Sequence, residues 1–244
     1  MAGRLEGHRI FITGAAGVIG RAVAAAIVAE GGIAIGADAE AVDGISHVFD
    51  VTDEAAWERV AARLRDEHGV IDGIVTAAGI LKTAPLHETA YADFKRIMTI
   101  NVDGTFLACR ALWPLLRGSR APAIVTLSSI AGLIGGRGFG AYNASKGAVT
   151  LLTKALAMEG AREDPCIRAN SVHPAFVEST MVDGLAARME DPAAGHARMK
   201  EILPLGRYVR PEEVAASIVH LLSPESGMTT GSEAVIDGGL TAGV

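Results

Sequence analysis

Short apolar runs alternate along this chain with longer stretches in which apolar residues recur at three- and four-residue spacing. That alternation is the signature of buried strands followed by amphipathic helices. His8–Thr13, Ile33–Ala37, His47–Phe49, Ile71–Ala77, Ala123–Leu127, Ile167–Val172 and Ala234–Ile236 read as seven strands. Between them, Val18–Glu30, Asp53–His68, Tyr91–Leu116, Ala141–Arg162 and Pro211–Leu222 read as helices. Thr52 or Asp53 is the natural N-cap of the second helix. Pro211 suits the first turn of the last helix, where its missing N–H costs nothing. After Asp38 about ten residues separate the second and third strands, room for a stunted helix at most. Thr180–Met199, bounded by Pro174 and Pro204, looks like an excursion of short helical pieces.

Strand and helix in strict alternation imply an α/β fold, a doubly wound and mostly parallel seven-stranded sheet with helices on both faces. The 244 residues suit one large domain, and no linker, repeat or low-complexity tract divides them. Half the residues are hydrophobic and 20% are charged, enough for a sizeable core. The formal net charge of −6 argues against nucleic acid or an anionic membrane as a partner. The first strand begins too early for a secretory signal to precede it, and no apolar run approaches the ~18 residues of a membrane span. Two cysteines, Cys109 and Cys166, make no disulfide framework, so a reduced, cytoplasmic setting is expected. Seven histidines are scattered without ligand spacing, and no metal site is expected.

Two features bring chemistry to this frame. Gly14, Gly17 and Gly20 follow the first strand and open the first helix, where backbone N–H groups can approach a pyrophosphate. Spaced glycines alone also serve ordinary turns and packing; the order strand, turn, helix makes them informative. Asp38 ends the second strand about 20 residues on, where a carboxylate can accept bonds from a ribose diol and repel a 2′-phosphate. A helix cap or a solvated loop residue is the plainer reading of that aspartate. Arg21 lies nearby, on the solvent side of its helix.

The second feature is Tyr142 with Lys146, four residues apart at a helix start and therefore on one face. An ammonium beside the phenol favours phenolate, and lowering the phenol from ~10 to ~7 takes roughly 4 kcal/mol. Ser128 and Ser129 end the fifth strand, at the carboxyl edge where open α/β sheets place their ligands. Tyr and Lys at this spacing are more often a surface pair. The upstream glycine loop and the strand-end serines give the pair its meaning.

Together these residues resemble the short-chain dehydrogenase/reductase family, over about His8 to Gly239. Tyr142-Asn143-Ala144-Ser145-Lys146 is similar to its Y-x-A-S-K motif, and Ser129 stands where that family has its substrate-orienting serine. Asn101 matches the helix asparagine that holds a water between lysine and solvent, and Asp50 with Val51 match the pair against adenine. Thr76-Ala77-Ala78-Gly79 stands where N-N-A-G is usual, Pro174 to Met181 resembles the P-G-x-x-x-T-x-M segment beside nicotinamide, and Asp237-Gly238-Gly239 the closing turn. The departures are Val18 at the middle glycine, with Gly17 one place early as in the longer epimerase-like branch, Ala77 for Asn, Ala175 for Gly, and Ser179 for Thr.

The resemblance implies hydride transfer between an alcohol and NAD, with Tyr142 as acid/base and Ser129 on the substrate oxygen. Lys146 would tune the tyrosine and bind the nicotinamide ribose, and Asn101 would complete a proton relay. Gly14, Gly17, Val18, Ile19, Asp38, Asp50, Val51, Ala77, Ala78, Gly79, Pro174, Val177 and Ser179 would hold the cofactor with Tyr142 and Lys146. A lid over 178–205 carries Met181, Val182, Leu185 and Met189, and with Phe139 and Phe176 it suggests a hydrophobic secondary alcohol or ketone; packing of the lid onto the body explains the same residues. Relatives pair the two long helices across a two-fold axis, implying a homotetramer. The rivals are an NADPH-dependent 3-oxoacyl carrier-protein reductase, opposed by Asp38, and a non-catalytic cofactor-binding sensor or scaffold, opposed by Ser129, Tyr142 and Lys146.

Overall fold

Continuous runs of apolar and β-branched residues, such as Ile10-Phe11-Ile12 and Ile74-Val75, form strands buried on both faces of one sheet. A computed structural model describes residues 3–243. The strands are β1 (Arg9–Thr13), β2 (Ile33–Asp38), β3 (His47–Val48), β4 (Gly73–Thr76), β5 (Ala123–Leu127), β6 (Arg168–Pro174) and β7 (Glu233–Ile236). They lie in the order β3-β2-β1-β4-β5-β6-β7, and each pairing is parallel. The doubly wound seven-stranded sheet expected from the sequence is therefore present.

The helices are α1 (Val18–Ala29), α2 (Glu54–His68), α3 (Tyr91–Met98), α4 (Gly104–Leu116), α5 (Gly140–Gly160), α6 (Thr180–Ala186), α7 (Pro192–Glu201) and α8 (Pro211–Leu222). Alternation along β1 divides the core between the two faces. Phe11 joins Trp57, Leu64, Leu112 and Ile124 on one face. Ile10 and Ile12 join Val23, Ile27, Val214 and Ile218 on the other. Burying polar groups in β6 requires partners, and Arg168 finds them by donating to the carbonyls of Leu221, Leu222 and Ser223 at the end of α8. A cation there also meets the negative end of the helix dipole.

One expectation is corrected, and two others gain detail. The single long helix expected over Tyr91–Leu116 is broken into α3 and α4 by a π-helical turn at Thr99–Asp103, a local widening that redirects side chains. Ala39–Ser46 contains no helix, so β2 and β3 are joined by bends and a turn at Asp43–Gly44. The excursion after Pro174 is two helices, α6 and α7, around a small cluster of Val182, Ala186, Met199, Leu203 and Tyr208. Its base is fastened by a parallel bridge between Val177 and Val209.

This topology fixes where a ligand belongs. The chain runs from β1 outward through β2 and β3, then returns to lay β4 on the other side of β1. A crevice opens at the carboxyl ends of strands at such a switch point.

Candidate active site

Gly14 leaves β1 with φ +65, and a Cβ there would stand 2.6 Å from the Ala78 nitrogen. Only glycine fits this turn, which presses the β1–α1 loop against the end of β4. Helix α1 then starts at Val18, with Gly17 as an N-cap that offers no side chain and with no acidic residue in its first turn. Its leading N–H groups and the positive end of its dipole face the crevice, the arrangement that receives a phosphate. Asp38 closes the loop from the far side. Its Oδ2 accepts a 2.9 Å hydrogen bond from the Ala16 nitrogen, and its Oδ1 a 3.2 Å bond from that of Glu40. The cradle, the uncapped helix start and the carboxylate together fit a dinucleotide.

A cavity of about 510 Å³ runs from this loop across the carboxyl ends of β4, β5 and β6 to the lid. It gathers Gly14, Gly17, Val18 and Ile19, then Ala77 and Gly79, then Pro174, Val177 and Ser179, as the sequence leads one to expect. Ser129, Tyr142 and Lys146 meet in it, with Phe139, Phe176, Met181 and Leu185 around them. Ser129 stands in extended backbone just past β5; its hydroxyl donates to the Pro174 carbonyl at 3.3 Å and accepts from the Ala131 nitrogen at 3.1 Å. Beneath it, His173 is fully buried, with Nδ1 donating to the Ser129 carbonyl at 3.0 Å and Nε2 paired with the Ser171 hydroxyl at 2.7 Å. Burial lowers the His173 pKa, so a neutral ring holds the serine backbone in place.

The electrostatics of the Tyr142–Lys146 pair depart from the sequence expectation. Burial pushes the Tyr142 phenol up to about 12, and the facing Ser129 hydroxyl brings it only partly back. Burial pushes Lys146 down to about 8. The lysine Nζ sits 5.7 Å from the Tyr142 ring centroid and donates to the Leu127 carbonyl at 2.7 Å. Desolvation therefore outweighs the neighbouring ammonium, and the protein alone holds a neutral phenol at pH 7.

Five expected residues lie outside the cavity: Asp38, on the far side of the loop, and Asn101, Val51, Asp50 and Ala78. Asn101, in the π-helical turn, is 1% exposed. Its carboxamide accepts from the Ile80 nitrogen at 2.8 Å and donates to the Ile80 carbonyl and the Ser145 hydroxyl, both at 3.0 Å. That brace occupies the carboxamide with protein groups on both its donor and its acceptor side. Val51 is turned into the core against Gly104, and its carbonyl accepts from the Trp57 indole at 2.9 Å. Asp50 is exposed and caps its own turn by accepting from the Thr52 nitrogen and hydroxyl. Ala78 packs against the core, its nitrogen donating to the Thr13 hydroxyl at 3.3 Å. Among the lid residues, Met189 does not line the cavity; its sulfur packs on Gly195.

Sequence reasoning missed much of the apolar wall. Ile130, Ala131 and Ile134 follow β5, and Ile202 and Leu240 arrive from the lid and the chain's end. Position at a strand's carboxyl edge was a usable signal for the first three. Nothing local marks the last two.

A parallel α/β sheet with a phosphate-receiving loop at its switch point, and a Ser, Tyr and Lys beside it, defines a dinucleotide-dependent oxidoreductase. Comparison with known proteins narrows this. Residues 14–241 match the family model described as enoyl-(acyl carrier protein) reductase. The NADP-dependent (R)-specific alcohol dehydrogenase of Lentilactobacillus kefiri is 31% identical over 256 residues, covering 99% of this chain and 100% of that protein. The cyclopentanol dehydrogenase of Comamonas testosteroni is 39% identical over 194 residues, 80% of this chain and 75% of that one. Among solved structures, ligand-free aldohexose dehydrogenase from Thermoplasma acidophilum aligns with a TM-score of 0.93 at 28% identity, over 100% of this chain and 98% of that one. The chain belongs to the short-chain dehydrogenase/reductase family, as an oxidoreductase acting on alcohols and ketones.

Proposed function

We propose that the protein interconverts a hydrophobic secondary alcohol and its ketone with NAD as cofactor. The observation that carries this reading is one cavity holding the Gly14 cradle, Ser129, Tyr142 and Lys146, with a largely apolar wall. The bound nicotinamide would supply the hydride acceptor or donor and, when oxidised, a positive charge. Tyr142 donates a proton to a ketone oxygen, or takes one from an alcohol, and Ser129 fixes that oxygen by hydrogen bonding. A phenol near 12 suits the donor role directly; oxidation needs the extra positive charge of the oxidised cofactor to make phenolate accessible. Lys146, mostly protonated at pH 7 and tethered to Leu127, contributes its own charge and a donor for the ribose. Asn101 acts through the Ile80–Ser145 brace, which steadies the helix turn that carries Tyr142.

NAD is preferred over NADP because Asp38 stands at the end of β2 and Glu40 follows it, so two carboxylates would meet a 2′-phosphate. Ile130, Ile134, Phe139, Phe176, Met181 and Leu185 favour an alcohol flanked by hydrocarbon. Phe106, Leu151 and Met158, exposed on α4 and α5, offer the apolar face that a homotetramer would cover. Cytoplasmic location remains part of the same proposal; among the described residues no helix is long and apolar enough to cross a membrane. The test is titration with NADH and NADPH followed by a screen of secondary alcohols with NAD. No turnover of any alcohol or ketone with either dinucleotide would refute the reading.

A further inference from the structure

The segment between β5 and α5 forms one wall of the cavity, through Ile130, Ala131, Ile134, Gly135 and Gly136. A chain with two adjacent glycines has many conformations to lose, so something must hold it. At its near end it is pinned by close packing: a Cβ on Gly132 would stand 2.8 Å from both the Lys146 carbonyl and the Ser128 hydroxyl. At its far end a Cβ on Gly135 would meet nothing within 4 Å. There, beside a backbone bond from the Phe139 nitrogen to the Gly136 carbonyl, the side-chain hold comes from Asn143, the residue after Tyr142. Its Nδ2 donates to the Ala131 carbonyl at 2.5 Å and the Ile134 carbonyl at 2.9 Å, and its Oδ1 accepts from the Gly136 nitrogen at 3.2 Å. One carboxamide thus satisfies three backbone groups spread over six residues of wall.

We infer that Asn143 is a positioning residue that sets the distance between the substrate wall and Tyr142, and thereby which alcohols the cavity accepts. The inference rests on the function proposed above. Only a planar group with a donor and an acceptor side meets this set of partners. The amide is carried on the same helical turn as the phenol, so the wall is referenced to the proton-transferring atom itself rather than to the distant sheet. Small displacements of a substrate from that atom cost rate steeply.

The test compares Asn143→Ala and Asn143→Asp with the wild-type protein. In Asn143→Ala, amide hydrogen exchange should quicken at 131–136 while the glycine loop and the body of α5 keep their wild-type protection. The NADH Kd should stay within about twofold, because the glycine loop, Lys146 and the Pro174–Ser179 segment are left unchanged, whereas the kcat/KM ratio between a bulky cyclic and a small acyclic secondary alcohol should shift about tenfold. Asn143→Asp sets a carboxylate against two carbonyl oxygens and should shift the ratio further at an unchanged NADH Kd. Unchanged exchange at 131–136, or quickened exchange with an unchanged selectivity ratio, overturns the inference. So does a loss of NADH binding parallel to the loss of turnover, which marks general structural damage. A wild-type protein that turns over no alcohol or ketone refutes the proposed function instead, and the exchange measurement still decides whether Asn143 holds the wall.

Discussion

The Lys146 Nζ lies 5.7 Å from the centre of the Tyr142 ring, yet its hydrogen bond goes to the Leu127 carbonyl. The lysine is near enough to add charge to the site and tethered too firmly to compensate the phenol's burial. Buried side by side, the two groups are each pushed toward neutrality, Tyr142 to about 12 and Lys146 to about 8. The site is poised as a proton donor, with a positive charge still required to run it as a base.

Replacing Tyr142 by Phe keeps the ring and removes the proton. Turnover should fall by about 10²–10⁴-fold, the usual share of general acid–base catalysis, while NADH binding stays close to wild type. Steady-state kinetics beside a fluorescence titration checks both halves. A variant with wild-type turnover would remove Tyr142 from the chemistry.

Lys146 gives a pH signature whose direction follows from its lowered pKa. Between pH 8 and about 10.5 the unfolded chain holds a proton on this lysine that the folded chain has released. The lysine's contribution to stability therefore rises with pH through that window, and the cost of its buried charge is fully present below pH 8. Unfolding free energies of the wild type relative to Lys146→Met should increase from pH 8 to 10. A side-chain NMR titration of the lysine should show a midpoint near 8 in the protein without cofactor.

Asp38 is expected to set cofactor choice. The wild-type protein should prefer NADH to NADPH by tenfold or more, about 1.4 kcal/mol. Asp38→Ser should erase much of that preference and also weaken NADH binding, since the Ala16 nitrogen loses its carboxylate partner. Dissociation constants for both dinucleotides decide the matter; a wild-type preference for NADPH would overturn it.

Gly14→Ala should unfold at a lower temperature and lose dinucleotide binding. A left-handed φ costs an L-residue about 1–2 kcal/mol, and the new methyl would also collide with the backbone at Ala78. Thermal melts with and without NADH separate the two effects. The ligand-induced rise expected of the wild type should be absent from the variant.

Some of the site was readable because local chemistry alone compels it. Gly14 must be glycine at its turn, Asp38 ends an apolar run, and Tyr142 and Lys146 share a helix face by spacing. The packing of Asn101 and Val51 could not be read in this way. The π-helical turn that buries Asn101 against Ile80 and Ser145 has no period of its own in the sequence. Whether Val51 faces a crevice or Gly104 depends on how α4 crosses the start of α2. Pairing distance along the chain is equally silent about Leu240, which reaches the cavity from the last residues.

The sequence by itself determined the alternating elements, the parallel sheet and the identities of the groups proposed to react. Those depend on periodicity, turn stereochemistry and side-chain type, all of which are local. Tertiary structure decided how the groups behave. Burial is a property of the surroundings, so only the folded chain could hold Tyr142 as a neutral phenol, spend the Asn101 carboxamide on a brace, and fix the wall through Asn143. The Tyr142–Lys146 pair was legible four residues apart; its proton affinity was written by everything packed around it.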